Sequence, residues 1–124
     1  MSGKRCVVID DSQLVLVMAT DALETAGFEV YATDSGIEAN QYIFGTPAPD
    51  IIIIDVMMPL LSGDQKVRLL KERERSRHIP VLLMSSKSDE ELEQLVKTSG
   101  ADGYIKKPFD AEGLVNEVKR ALRG

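Results

Sequence analysis

Five short apolar runs, CVVI (6–9), FEVYA (28–32), IIII (51–54), VLLM (81–84) and GYI (103–105), are separated by longer segments with helical periodicity. This alternation restricts the fold more than any other feature of the chain. Several runs are apolar on consecutive residues, as a strand reads when both faces of its sheet are covered. Strand-length runs alternating with helices call for a parallel sheet, helices on both faces and right-handed crossovers. The expected class is α/β: a single doubly wound (βα)5 domain over residues 1–124 with a five-stranded parallel sheet. A chain of 124 residues is long enough for one such core and too short for two.

The helical segments carry their own start and stop signals. Ser35 with Glu38, and Ser88 with Glu91, have capping-box spacing. After Ser88, the residues Leu92, Leu95, Val96 and Ser99 fall on one face, and Gly100 is placed to end the helix. A further helix is expected from Gly63 to about Arg75, its KERER tail read as a solvated face. The last should begin near Asp110 and turn Leu114, Val118, Ala121 and Leu122 inward. The first, SQLVLVMATDALETAG, is apolar without a break from Leu14 to Ala19, more than a stripe facing a sheet requires. Either part of it reaches the surface or this helix is more buried than the others.

Bulk properties exclude several classes. A formal net charge of −5 argues against a chain that binds nucleic acid directly, which would usually present a basic face. The single cysteine, Cys6, cannot form an internal disulfide and sits in an apolar run as core filler, which fits a reducing cytoplasm. With one Cys and one His, zinc clusters are out of reach, and His78 in SRHIP reads as a loop residue. Nothing approaches the roughly 20 apolar residues of a membrane span, and the N-terminus lacks the apolar region of a secretion signal. The expectation is a cytoplasmic protein without a membrane partner.

In open α/β sheets, ligands bind beyond the carboxyl ends of the strands. The polar residues at the end of each apolar run are therefore informative: Asp10 and Asp11, then Asp55, then Ser85 and Ser86, then Lys106, Lys107 and Pro108. The second strand, ending near Thr33 and Asp34, is less distinctive. Crowded carboxylates repel one another unless a cation sits among them. Oxygen ligands without His or Cys favour a hard cation, and an incomplete cage suits Mg2+, or a relative such as Mn2+. Lys107 could offset charge on a phosphoryl group, and Ser85 could donate to one of its oxygens. Aspartate is itself a nucleophile toward phosphorus. Phosphoryl transfer onto an aspartate uses all these parts. Each Asp taken alone is more often a turn or cap residue, and Asp34, Asp50, Asp89 and Asp102 are read that way.

The residues VVIDD, PDIIIID followed by VMMP and Gly63, PVLLMSS, and GADGYIKKPFD, in this order, resemble the receiver domain of bacterial two-component response regulators over nearly the whole chain. The resemblance implies the flavodoxin-like strand order 2-1-3-4-5. It implies that Asp55 is the phosphoacceptor, that Asp11 binds Mg2+ directly, and that Asp10 acts mainly through water. The backbone carbonyl of Met57 would complete the protein's share of the metal shell. Lys107 would bind the phosphoryl group, with Lys106 solvated, and Ser85 would be the hydroxyl that moves toward it. Tyr104 would change rotamer with the switch, and the Lys107–Pro108 bond would be cis. The implied partners are a sensor histidine kinase or histidine phosphotransfer protein, docking on the first helix, and a downstream effector or fused output domain. A homodimer through the fourth and fifth helices is a further option.

Two positions that tune phosphoryl lifetime in that family are Met57 and Lys87 here. An apolar Met57 cannot orient an attacking water, so slow self-dephosphorylation is expected. Two other readings compete. One is a receiver-like interaction module that is never phosphorylated, which the full set Asp10, Asp11, Asp55, Ser85 and Lys107 argues against. The other is a small Mg2+-dependent phosphohydrolase with an Asp nucleophile, which commonly has a second acid where this chain has Met57.

Overall fold

The computed structural model describes residues 3–124. Five strands, β1 (Arg5–Ile9), β2 (Glu29–Thr33), β3 (Ile51–Asp55), β4 (Val81–Ser85) and β5 (Gly103–Lys106), alternate with five helices. The helices are α1 (Gln13–Thr25), α2 (Asn40–Ile43), α3 (Gly63–Glu72), α4 (Asp89–Ser99) and α5 (Ala111–Arg123). All strand pairs are parallel, in the order β2-β1-β3-β4-β5.

The four isoleucines show why the strand runs read as continuous. Ile51 and Ile53 pack with Cys6, Val8, Leu82 and Met84 against α1 and α5. Ile52 and Ile54 pack with Val7, Ile9, Val81 and Leu83 against α2, α3 and α4. Side chains alternate across a strand, so one run supplies two separate cores. Every residue of β3 and β4 is buried. Burying a side chain such as Ile contributes about 1.5–3 kcal/mol, so this central pair carries a large share of the sheet's hydrophobic stabilisation.

Most helix ends follow the sequence signals. Ser88 caps α4 in a capping box with Glu91, and Gly100 ends it at φ 89°, a left-handed position that glycine occupies without Cβ strain. Asp110 caps α5, and Ser12 caps α1. The Lys107–Pro108 bond is cis, as is Thr46–Pro47, which the sequence did not flag. Asp50 and Asp102, read as turn or cap residues, instead make long-range contacts. Their carboxylates accept the backbone N–H of Arg5 and Val81, at the starts of β1 and β4, at 2.7 and 2.8 Å, and Asp102 also pairs with Lys71 at 2.9 Å.

Two helices differ from the sequence reading. No helix begins at Ser35; α2 is a single turn starting at Asn40. The Ser35 hydroxyl does accept the Glu38 N–H at 3.1 Å, but the Glu38 carboxylate turns back to accept the Thr33 hydroxyl at 2.9 Å. That leaves the second half of the capping box unmade. Helix α3 stops at Glu72 rather than Arg75, because the Ser76 hydroxyl donates to the Leu70 carbonyl at 2.7 Å and supplies an end to the helix. The KERER tail is not simply solvated. Arg73 and Arg75 lie over the Phe44 ring, and Arg75 donates to the Phe44 carbonyl at 2.8 Å.

Helix α3 approaches the end of β3 at Gly63. A Cβ there would lie 2.3 Å from the Asp55 carbonyl oxygen and 3.0 Å from the Val56 Cα, both backbone atoms that cannot swing aside. Gly63→Ala is therefore expected to destabilise the protein by about 1–3 kcal/mol, the usual cost of overpacking. Gly36→Ala, with nothing near the added methyl, serves as the control. Urea unfolding of the two variants measures the difference, and equal midpoints would refute the close approach.

Candidate functional site

Asp10, Asp11, Asp55, Ser85 and Lys107 meet beyond the carboxyl edge of the sheet. Strand pairing fixes their relative heights. Asp55 is opposite Met84, Ile9 is opposite Ile54, and Ser85 is opposite Lys106. The ladder continues past the strands: Asp10 N–H donates to the Thr33 carbonyl, Val56 N–H to Met84, and Lys107 N–H to Ser85 at 2.8 Å. Asp10, Asp55, Ser85 and Lys107 thus leave backbone that the ladder already holds.

The three carboxylates each offer an oxygen within 4.8 Å of the others. Asp10 is fully buried and Asp55 is 4% exposed, whereas Asp11 is open to solvent. Among the described residues, one ammonium joins them. Lys107 Nζ lies 2.7 Å from Asp10 Oδ2 and 3.5 Å from Asp55 Oδ1. Asp10 Oδ1 accepts the Ser12 N–H at 2.9 Å, and Asp55 Oδ1 accepts the Met57 N–H at 3.2 Å. Apart from this ion pair with Lys107, Asp10 Oδ2 has no hydrogen-bond partner.

Magnitudes decide what such a cluster wants. Two carboxylates about 4 Å apart repel by roughly 4 kcal/mol at an effective dielectric near 20. A hydrogen bond contributes about 1 kcal/mol net, so the two N–H donors cannot offset three carboxylates with one ammonium among them. A hard dication can. Asp10, Asp11 and Asp55 would hold such an ion, Mg2+, through their carboxylate oxygens. The donor set, three carboxylates offering only oxygen ligands, fits that ion.

The remaining predicted residues flank the cluster. Ser85 is buried, and its hydroxyl accepts the Lys87 N–H at 3.1 Å. Met57 is 64% exposed and shares a groove with Lys87, Ser62 and Glu91. Tyr104 lies apart from the carboxylates, with its hydroxyl donating to Asp89 at 3.2 Å. Lys106 points to solvent and lies 3.6 Å from the same aspartate. That second role of Asp89 was missed; nothing in its spacing separates a helix-start aspartate from one that holds a tyrosine. His78 is an exposed residue outside the site.

The response regulator receiver domain family matches residues 6–119. The chain belongs to this family. It is 35% identical over 99% of its length to the phosphate regulon transcriptional regulatory protein PhoB of Pseudomonas aeruginosa, and spans 53% of that relative, about half. It is 29% identical to the polar-differentiation response regulator DivK of Brucella ovis over 96% of both chains. It superposes with a TM-score of 0.90 on a solved putative response regulator from Chloroflexus aurantiacus, at 30% identity over 98% of each chain. Receiver domains are phosphorylation-dependent switches of two-component signalling, and this chain is one. Among its described residues, no helix is long and apolar enough to cross a membrane.

In this receiver the Asp55 carboxyl titrates above the usual aspartate range. Burial is the main cause and the charges of Asp10 and Asp11 add to it, while the Met57 N–H and Lys107 pull the other way. A carboxyl whose folded pKa is raised gives its full stability below its unfolded pKa and loses it as pH rises through the folded one. Asp55→Asn should therefore raise the metal-free melting temperature at neutral pH, and the gain should vanish as pH falls below the carboxylate range. Thermal melts of both proteins in chelator across that range provide the test. A gain that persists unchanged in acid would contradict the raised pKa.

Proposed function

We propose that Asp55 accepts the phosphoryl group, supplied by a sensor histidine kinase or a histidine phosphotransfer protein, and that residues 1–124 act as one receiver unit. The observation that carries the proposal is the convergence of Asp10, Asp11 and Asp55 with, among the described residues, only the Lys107 ammonium among them to offset their charge. Asp10, Asp11, Asp55 and the Met57 backbone carbonyl would hold Mg2+, Asp10 mainly through water. When bound, the ion offsets the carboxylates' charge and that of the incoming phosphoryl oxygens.

The chain's own residues then divide the work. An Asp55 oxygen forms a bond to phosphorus as the bond from phosphorus to the donor's imidazole nitrogen breaks, and the imidazole leaves. Lys107 is already between Asp10 and Asp55, so it can follow the new charge with a small movement. Ser85 gives up its contact with the Lys87 N–H and turns its hydroxyl toward the phosphoryl oxygens. That displacement runs into the loop that caps α4, and α4 carries Asp89, the partner of Tyr104. Loosening this contact frees Tyr104 to change rotamer. The altered face of α4, β5 and α5 acts on a downstream effector, a fused output domain or a second copy of the chain.

Leu14, Val17 and Met18 are exposed on α1, beside the loop that bears Asp10 and Asp11. Of the two readings of this apolar helix, surface exposure is the one observed. An apolar patch next to the site suits docking of the phosphodonor protein.

Incubation with Mg2+ and a small acyl phosphate, followed by intact mass, should give one phosphoryl adduct that is absent in chelator. The adduct should also be absent from Asp55→Asn. An adduct formed equally by Asp55→Asn would sink the proposal. Met57→Asn, which places a hydrogen-bonding group on the exposed side of the site, should shorten the phosphoryl lifetime by about tenfold, the worth of one hydrogen bond to an attacking water. An unchanged decay would show that Met57 does not set the lifetime.

A further inference from the structure

Lys66 is a buried lysine that phosphoryl chemistry does not use. It is 8% exposed, and its ammonium donates to the Asn40 side-chain carbonyl oxygen at 2.5 Å. Among the described residues no carboxylate forms an ion pair with it, so two of its three donors and its whole charge go without a counter-ion. Burial, with a smaller push from Arg73, lowers its pKa from the ordinary lysine value. Buried charges are usually paired or bound to a ligand.

The same lysine lines a cavity of about 380 Å3 between the loop after β2 and the turn after β3. That volume falls within the range of small-molecule sites, and like them the cavity is mostly apolar with few polar groups. Its walls are Ile37, Met58, Leu60 and Leu61, and Ile54 closes its base. The one carboxylate in the lining, Asp34, accepts a hydrogen bond from the Gln13 side chain at 3.3 Å.

The rim is formed by the turn after β3. Leu60 has φ 71°, the only non-glycine residue at positive φ among those described, and its side chain is 96% exposed. The Leu61 N–H donates to the Pro59 carbonyl at 2.8 Å, closing a γ-turn around Leu60 of the rare, strained hand. The turn sets the exposed Leu60 side chain at the rim, where it can cover a bound chain.

We infer that this cavity binds a small aliphatic carboxylate, with its head on the Lys66 ammonium and its chain along Ile37, Met58 and Leu60. The carboxylate supplies the missing counter-ion through charge-assisted hydrogen bonds, and the chain covers apolar surface that is otherwise wet. The site is separate from the carboxylate cluster and does not depend on phosphorylation of Asp55.

The test compares octanoate with octanol by NMR amide shifts on the unphosphorylated protein. Octanoate is expected to shift amides in 34–37 and 58–66 and to bind at least about tenfold more tightly than octanol, the difference a charge-assisted contact makes. Lys66→Met, nearly isosteric and uncharged, should bind the two equally. Leu60→Gly alters only an exposed side chain and relieves the strained turn, so it folds and should weaken both ligands alike. No shifts at the cavity, equal binding by the native protein, a preference retained in Lys66→Met, or binding unaffected by Leu60→Gly would each overturn the inference.

Discussion

The structure depends on holding like charges together. Asp10 and Asp55 are both buried, Asp11 stands beside them, and a single ammonium lies between the first two. Left free, such carboxylates would swing apart into water. They do not because each follows a strand of a sheet covered on both faces, and because the ladder of hydrogen bonds runs on past the strand ends. Gly63 adds a further restraint by letting α3 close directly against the Asp55 carbonyl. The repulsion is thereby stored in a rigid frame, which is what makes the site responsive to a cation and to a phosphoryl group.

A rigid frame also explains how a small chemical event could travel. Ser85 and Lys107 sit at the ends of neighbouring strands, and the Lys107 N–H is bonded to the Ser85 carbonyl. The Ser85 hydroxyl touches the loop that caps α4, and Asp89, the first residue of that helix, holds both Tyr104 and Lys106. Movement at the phosphorylation edge has a short physical route to the α4–β5 face. The route consists of hydrogen bonds that can be exchanged, in a sheet whose packing does not deform continuously.

The sheet was legible in the sequence because the buried strands β3 and β4 read as unbroken apolar runs, and the less buried edge strands β2 and β5 still gave strand-length, mostly apolar runs. Helices with complete capping signals were legible too, as α4 shows at Ser88 and Gly100. What stayed hidden was decided by contacts between distant residues. Glu38 turns to Thr33 and shortens α2; Ser76 ends α3; Phe44 gathers Arg73 and Arg75. At the site, the identities of the three carboxylates and of Lys107 could be read from strand ends. That Lys107 stands closer to Asp10 than to Asp55 could not, and neither could the burial of Lys66 next to a cavity. Both depend on how side chains from separate units meet.

The central claim is that the carboxylate at the end of the isoleucine strand becomes an acyl phosphate. Borohydride reduces an aspartyl phosphate to the alcohol, so peptide mapping after phosphorylation and reduction locates it directly. The account predicts homoserine at position 55 and native aspartate at positions 10 and 11. Homoserine at position 10 or 11, or at no position in a protein that carries the phosphoryl adduct, would contradict it.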